Sequence, residues 1–398
     1  MVTNVQSGSG RRSTLAFIYD ERVRDVFYQV LTAGIVAWLS WYLFTNTAHN
    51  LEARGMSSGF SFIFLKANFD TDFKLIEYVS GTGTYGRIFL VGCLNTLLVS
   101  FIAIVLTTAL GFFVGVMRLS SNWLVARLAL AYVEILRNTP LLLQIVYWYI
   151  GVFSLLPRVK QSIHVFEYAF LNNRGLYMPS PLPGDLFWLT IAALVIGIVA
   201  AYVVRRWARR RQDLTGQQFP TFWASLGLII GFPVIVFLVT GAPLDWDVPA
   251  IQGFNFKGGV SVPPAFLALL VALTIYHSSH MAESVRAGIL SVSKGQTEAA
   301  YALGLRPSRT MTLVIIPQAM RAIVPPMISL WMNVVKNSSL AVAIGYSDVV
   351  ALFMQTALNQ SGYAVEIVAM TMGFYMIISL SISGVLNIYN KRVQLRER

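Results

Sequence analysis

Few residues in this chain could do chemistry, and their spacing narrows what that chemistry is. The single cysteine, Cys93, excludes an internal disulfide. His277, His280 and Glu283 stand three apart on one expected helix, a set of types that can hold a metal. At 100° per residue, His277 and Glu283 lie about 120° apart around the axis, so a polar patch near the middle of a helix bundle fits better than a metal site. The remaining histidines, His49 and His164, fall in expected external positions. The string "GTGTYG" at 81–86 fits the G-x-G-x-x-G pattern, but a polar loop precedes it and an apolar run follows. It reads as a flexible entry loop and not as a dinucleotide cradle. No G-x-x-x-x-G-K-S/T string is present in the sequence, so a P-loop ATPase is excluded.

Two polar constellations interrupt otherwise apolar sequence. In "YVEILRNTPLLLQ", Glu134 and Arg137 are spaced to pair across one helical turn. Pro140 removes a backbone donor and must kink that helix, leaving Asn138, Thr139 and Gln144 beside the break. Broken polar helices inside a membrane bundle are where ligand sites are built. The same residues also suit a helix entering the bilayer late, with its ion pair among the headgroups. The second constellation is "KGQTEAAYALGLRPSRTMTLVIIPQAMRAIVPP". Lys294 to Gly304 form a short, partly polar helix with Ala299, Ala300, Ala302 and Leu303 on a small-residue face, ended by Gly304. Glu298 and Arg306 would fix its register. Such a helix reads as a docking knob or as an ordinary interfacial amphipathic helix.

The elements that position these residues are membrane spans. Of 398 residues, 56 % are apolar and 12 % charged, where soluble domains carry roughly 25 % charged. Mean hydropathy is +0.63. A disordered chain, a soluble enzyme and a secreted disulfide scaffold are excluded. Runs of ~20 apolar residues are needed to cross ~30 Å of hydrocarbon. About eight such spans are expected, near 26–45, 88–116, 124–155, 186–204, 221–240, 264–284, 310–334 and 367–388, giving an all-α integral membrane protein. The net charge of +12 then follows the positive-inside rule. With the N-terminus inside, inside segments hold about twice as many Lys and Arg as outside segments, which places both termini in the cytoplasm. The arginine run "RRWARRRQ" at 205–212 anchors this topology and needs no nucleic acid. Residues 26–45 read as a retained signal anchor, and 341–365 as an external region holding a short re-entrant or interfacial helix.

The second constellation, with its "GQTEAAYALGL", "IIPQAMR" and "PP" segments, resembles the EAA signature of ATP-binding-cassette importer permeases. "HMAESVRAGILSV", "KNSSLAVAIGYSDV" and "GCLNTLLVSF…YVEILRNTPLLLQ" resemble the polar amino-acid subfamily. The likeness covers the five-span core at about 88–155 and 263–390. The first span and periplasmic loop (26–87) and a two-span insertion (156–262) resemble the longer permeases of general L-amino-acid importers. Cytoplasmic tails at 1–25 and 391–398 complete the layout.

The resemblance implies a type I importer in a bacterial inner membrane, moving L-amino acids of broad specificity from periplasm to cytoplasm by alternating access. Its partners would be a second permease subunit in a heterodimer, two ATPase subunits that carry ATP and Mg, and a periplasmic amino-acid-binding protein. This chain would bind no cofactor or metal and catalyse no reaction. Gly295, Glu298, Ala299, Ala300 and Gly304 would form the helix coupled to the ATPase. Asn138, Thr139, Gln144, Ser329, Leu330, Asn333, Lys336, Ser338 and Ser339 are candidates for the substrate pathway. Relatives often carry an acidic or other polar residue where Ser329-Leu330 stands, and its absence implies weak discrimination among side chains. Lys336 suits either snorkelling to external headgroups or pairing with a substrate carboxylate. An ion-coupled carrier would use intramembrane acids, for which only Glu134 and Glu283 qualify, and an intramembrane enzyme would need a nucleophile or acid pair at depth. A reporter fused after Arg398 should give a cytoplasmic signal; a periplasmic one would overturn the topology.

Overall fold

The computed structural model describes residues 21–53 and 59–393. Of the basic residues used to orient the spans, Arg11, Arg12, Arg54, Arg396 and Arg398 lie outside the described residues, as does most of the 1–25 tail. Helix α1 is Glu21–Ala53, α2 Tyr85–Met117, α3 Trp123–Asn138 and α4 Leu141–Val146. The insertion supplies α5 (Phe187–Thr215), α6 (Thr221–Leu226) and α7 (Phe232–Val239). The chain continues through α8 (Pro264–Leu290), α9 (Lys294–Ala302), α10 (Pro307–Thr310), α11 (Ile316–Asn337), α12 (Leu358–Ser361) and α13 (Ala364–Val393).

Seven of the described helical segments are long and apolar enough to cross a membrane. The eighth expected span, 124–155, is corrected: α3 stops at Asn138, and the chain restarts at Leu141 and stays helical to Leu155. Pro140 lacks the N–H that an unbroken helix would need there. The expected helix in 341–365 is present as turns at Ser338–Ile344 and Val350–Ala357 running into α12.

Glycine sets how closely the core helices approach. A Cβ on Gly111 would come within 2.4 Å of the Met281 side chain, and one on Gly115 within 2.8 Å of the Ala282 carbonyl. Without side chains there, α2 and α8 lie backbone to backbone, and dispersion replaces the hydrophobic drive that lipid cannot supply. Gly288 meets Ile323 in the same way, seating α11 on α8.

The described segment before α2, residues 59–84, is a packed cap where the sequence suggests a polar loop. Phe62, Ala67 and Tyr78 are fully or almost fully buried. The Tyr78 hydroxyl donates to the Phe69 carbonyl at 2.8 Å, and burial followed by the Asp70 charge raises its pKa above the ordinary value. "GTGTYG" is likewise ordered: Thr84 accepts the Arg87 N–H at 3.2 Å and caps α2. Buried Asn95 on α2 donates to the carbonyls of Phe73 (2.9 Å) and Ser347 (2.8 Å). The Tyr346 hydroxyl donates to the Asn95 carbonyl, and Thr96 accepts the Val349 N–H. One turn of α2 thus ties together the cap and the elbow at 346–349.

The insertion holds eight short strands among the described residues. β1 (Ile163–Phe166), β2 (Ala169–Asn172), β3 (Gly175–Met178) and β8 (Val260–Val262) form an antiparallel sheet in that order. β4 (Ser180–Pro183) pairs with β5 (Leu244–Asp247), and β6 (Ala250–Gln252) with β7 (Asn255–Lys257). The β4–β5 pair closes the base of a hairpin made by α5 and α6–α7, whose seam is Ala193, Gly197 and Ala201. Pairing of β3 with β8 leads directly into α8 and joins the insertion to the core. Asn95→Ala should lower the stability of the purified chain by about 2–3 kcal/mol, because two buried carbonyls lose their donor. Thermal unfolding in detergent measures this, with lipid-facing Leu97→Ala as the unchanged control; an unshifted Asn95→Ala midpoint would refute the tie.

Candidate functional site

The break at Pro140 is held open by side chains. Thr139 Oγ1 donates to the Ile135 carbonyl at 2.8 Å, and Asn138 Nδ2 to the Glu134 carbonyl at 2.8 Å. Buried Gln144 donates Nε2 to the carbonyls of Leu136 (3.0 Å) and Thr139 (3.1 Å). Those acceptors lost their helical donors at the break, so Gln144 supplies what the backbone cannot. The expected ion pair between Glu134 and Arg137 is absent among the described residues. Glu134 instead lies against Asn138 at 3.4 Å, and Arg137 lines a cleft.

That cleft, of about 690 Å³, lies between α3, α8 and α11 and is lined by Arg137, His280, Glu283, Ser284, Ser291, Ala322, Pro326, Ser329 and Leu330 among others. Of the sequence-derived pathway residues, Ser329 and Leu330 line it. The sequence did not join Arg137 and His280 to them, since Arg137 had a nearer partner in Glu134 and His280 a nearer one in His277. Structure separates both pairs. His277 Nε2 is 3.2 Å from Asn337 Nδ2, while the ring of His280 stands edge-on to Tyr276. Glu283 accepts from Arg118 and from Arg286 (Nη2, 2.6 Å), an ion triad joining the end of α2 to α8 beside the cleft. Both histidine rings stand edge-on to Tyr276, and among the described residues the three form no common ligand set.

Helix α11 presents Ala322, Pro326, Ser329, Asn333 and Lys336 as an exposed stripe at alternating four- and three-residue spacing. Its opposite face, with Ile323, Met327, Ile328, Val334 and Val335, is buried. An exposed stripe with Ser, Asn and Lys at membrane depth needs water or another protein against it. Pro326 also leaves the Ala322 carbonyl without the N–H it would meet four residues on, and both residues line the cleft. The other predicted positions play local roles. Buried Ser338 donates to the Val335 carbonyl and Ser339 to that of Lys336, both at 2.7 Å, closing the end of α11. Asn138, Thr139 and Gln144 shape the break and do not line the cleft.

A second surface lies at the end of α8 that the cleft approaches, where Ser291 precedes α9. Helix α9 buries Ala300 and exposes Gly295, Glu298, Ala299 and Ala302. It ends in a left-handed Gly304 (φ 77°), with the Leu305 N–H reaching back to the Ala300 carbonyl at 3.1 Å. The turn projects Leu303, 82 % exposed, beside half-exposed Tyr301. Glu298 and Arg306 form no ion pair among the described residues, so the expected register contact is corrected. The α9 register is instead tied to α11 by Gln318 Nε2 donating to Gln296 Oε1 at 3.1 Å.

The family model described as "Binding-protein-dependent transport system inner membrane component" matches residues 193–395. YhdX of Escherichia coli (strain K12), which carries an amino-acid ABC transporter permease name, is 49 % identical over 98 % of this chain and 100 % of its own. The general L-amino acid transport system permease protein AapQ of Rhizobium johnstonii is 47 % identical over 96 % of this chain and 95 % of its own. The glutamate/glutamine/aspartate/asparagine transport system permease protein BztB of Rhodobacter capsulatus is 41 % identical, covering 96 % of each chain. In a Cys93→Ser background, Ser329→Cys and Asn333→Cys should react with a water-soluble thiosulfonate reagent, while buried Ile328→Cys and Val335→Cys should not. Failure of all four to react would turn the α11 stripe toward lipid.

Proposed function

The chain belongs to the binding-protein-dependent transport system inner membrane components, and we propose that it is the long permease subunit of an importer carrying several classes of L-amino acid. It is a multi-pass inner-membrane transport subunit and not an enzyme, because ATP hydrolysis in this family belongs to separate ATPase subunits. The breadth of substrate follows the names of AapQ and BztB and the absence of a carboxylate at Ser329-Leu330. In our reading both termini are cytoplasmic, a second, different permease subunit completes the pathway, and a periplasmic amino-acid-binding protein delivers substrate. ATP and Mg reside on the partner ATPases, and this chain holds no cofactor.

One observation carries the reading: the cleft is lined both by Arg137 of α3 and by Ala322 of α11, whose carbonyl Pro326 deprives of its helical donor. An amino-acid zwitterion carries one anion and one cation about two bonds apart. The Arg137 guanidinium matches the carboxylate bidentately, and the Ala322 carbonyl accepts from the ammonium. Neither contact reads the side chain, which suits a general carrier. The exposed α9 offers Leu303, Tyr301 and the small face of Ala299 and Ala302 to the ATPase. Its ties to α8 and α11 would pass ATPase closure to the helices lining the cleft as a rigid-body displacement.

Reconstitution with the neighbouring permease, the ATPase and the binding protein tests this. Uptake of many chemically distinct labelled L-amino acids should depend on ATP. Arg137→Gln should lower uptake roughly 10-fold to 100-fold, the worth of one charge-assisted hydrogen-bond pair. Glu298→Lys should leave the spans inserted but separate ATP hydrolysis from uptake. Uptake of a single class would discard the broad specificity, and uptake driven by an ion gradient without ATP would sink the importer.

A further inference from the structure

The α5–α7 hairpin carries a cationic stripe that does not line the cleft. Helix α5 is free of charge from Phe187 to Val204, 18 residues, or about 27 Å against ~30 Å of hydrocarbon. Arg205 is its first charge, and Arg206, Arg209 and Arg210 follow within the next turn and a half. These first charges therefore fall at the boundary of hydrocarbon and headgroups, with the last pair about 6 Å further out.

Their direction around the axis is informative. At 100° per residue, Arg205, Arg209, Arg206 and Arg210 occupy an arc of about 140°. All four are exposed. The far side of the helix holds Ala193, Gly197, Ala201 and Ala208, which are buried, and a Cβ on Gly197 would come within 2.1 Å of the Leu228 carbonyl. The four guanidiniums thus point away from their own hairpin. On the same arc, one to three turns earlier, lie the exposed apolar residues Ile198 and Tyr202. The Arg206 guanidinium stands 5.9 Å from the Tyr202 ring. None of the four makes an ion pair among the described residues. The fifth arginine of the run is different: Arg211 donates to Gln217 at 2.7 Å and lies over Trp207, inside the turn to α6.

An outward apolar strip that ends in four unpaired guanidiniums at headgroup depth has the shape of a lipid. We propose that this face of α5 is a binding site for an anionic phospholipid, its phosphate held by Arg205, Arg206, Arg209 and Arg210 and its acyl chains along Ile198 and Tyr202. Arginine suits this because its planar fork meets two phosphate oxygens at once. Inorganic phosphate shares the headgroup chemistry, but it would leave the apolar half of the strip unused. The site also has a mechanical place in the fold. The opposite end of the hairpin is closed by β4–β5 and joined to α8 through β3–β8. The lipid would hold the arginine end.

The test uses the full chain, solubilised from membranes with equal phosphatidylglycerol and phosphatidylcholine, and native mass spectrometry of the lipids it retains. The wild type should retain phosphatidylglycerol preferentially. The quadruple Arg→Gln variant should lose at least about fivefold of that enrichment. The quadruple Arg→Lys variant keeps the charge that orients the span, so its retained enrichment would show that loss in the Gln variant is not misinsertion. The double variant Arg205→Gln/Arg206→Gln should fall between. Equal enrichment in wild type and Gln variants would overturn the site. Loss of lipid on adding inorganic phosphate at constant ionic strength would assign it to a free anion, and binding of a DNA duplex without lipid enrichment would assign it to nucleic acid; either result refutes the proposal.

Discussion

Hydrocarbon offers a peptide group no partner, so two departures from regular helix in this protein depend on side chains that replace the missing water. At Pro140 the replacement is Gln144, whose amide reaches the carbonyls of Leu136 and Thr139. At the 346–349 elbow it is Asn95 and Thr96, which take the Ser347 carbonyl and the Val349 N–H. Asp348 then accepts the Ala351 N–H at 2.8 Å and starts the next helical turn. Satisfied in this way, an interruption stops being a defect and becomes a fixed change of direction. The cleft lies beside the break at Pro140 and is lined by Pro326 of α11, with α8 between the two helices as its shared wall.

Helix α8 is the member these departures share. Among the described residues it touches the cleft, the glycine seam of α2, the sheet of the insertion and the approach to α9. Several of its polar residues are anchored: Ser278 and the Tyr132 hydroxyl share a hydrogen bond at 2.7 Å, His277 meets Asn337, and Glu283 holds Arg118 and Arg286. A helix fixed along its length by such short-range contacts moves as a unit or not at all. Displacing α9 therefore displaces the wall that carries His280 and Ser284, and the triad at Glu283 carries the end of α2 with it. Under the proposed docking at α9, no long chain of communicating residues is needed, because α9 and the cleft-lining Ser291 are three residues apart in sequence.

Much of this was legible in the sequence because the signals are local. A long charge-free run dictates a span, Pro140 dictates a break, and a short helix ended by Gly304 is set by its own residues. The short helix at Lys294–Ala302 and its left-handed end at Gly304 were readable, but its register was not, since Gln296 and not Glu298 makes the tie. The composition of the cleft was not, for a physical reason. Arg137 has Glu134 one turn away, and spacing alone favours that pair; only the packing of α3 on α8 turns the guanidinium toward His280. Gln144 looked like a pathway residue for the same reason, since polarity near a break does not say whether the side chain serves a ligand or the backbone. The insertion strands were illegible because three or four residues in a Pro- and Gly-rich loop carry no periodicity, and their register comes from partners up to 90 residues away.

Small residues divide the molecule into two bodies with different obligations to the membrane. In the core, glycines on α2 and α8 bring helices close enough that polar side chains can be shared between them, and the polar stripe of α11 is left for water or a second subunit. In the hairpin, Ala193, Gly197 and Ala201 bring α5 against α6–α7, and apolar side chains are left outward for lipid. The core must change shape during a transport cycle, so its contacts to lipid must be replaceable. A hairpin joined to the core through short strand pairs has no such demand and can hold its surroundings fixed. That asymmetry explains why the densest cationic run of the chain lies on the hairpin and not on the helices that line the cleft.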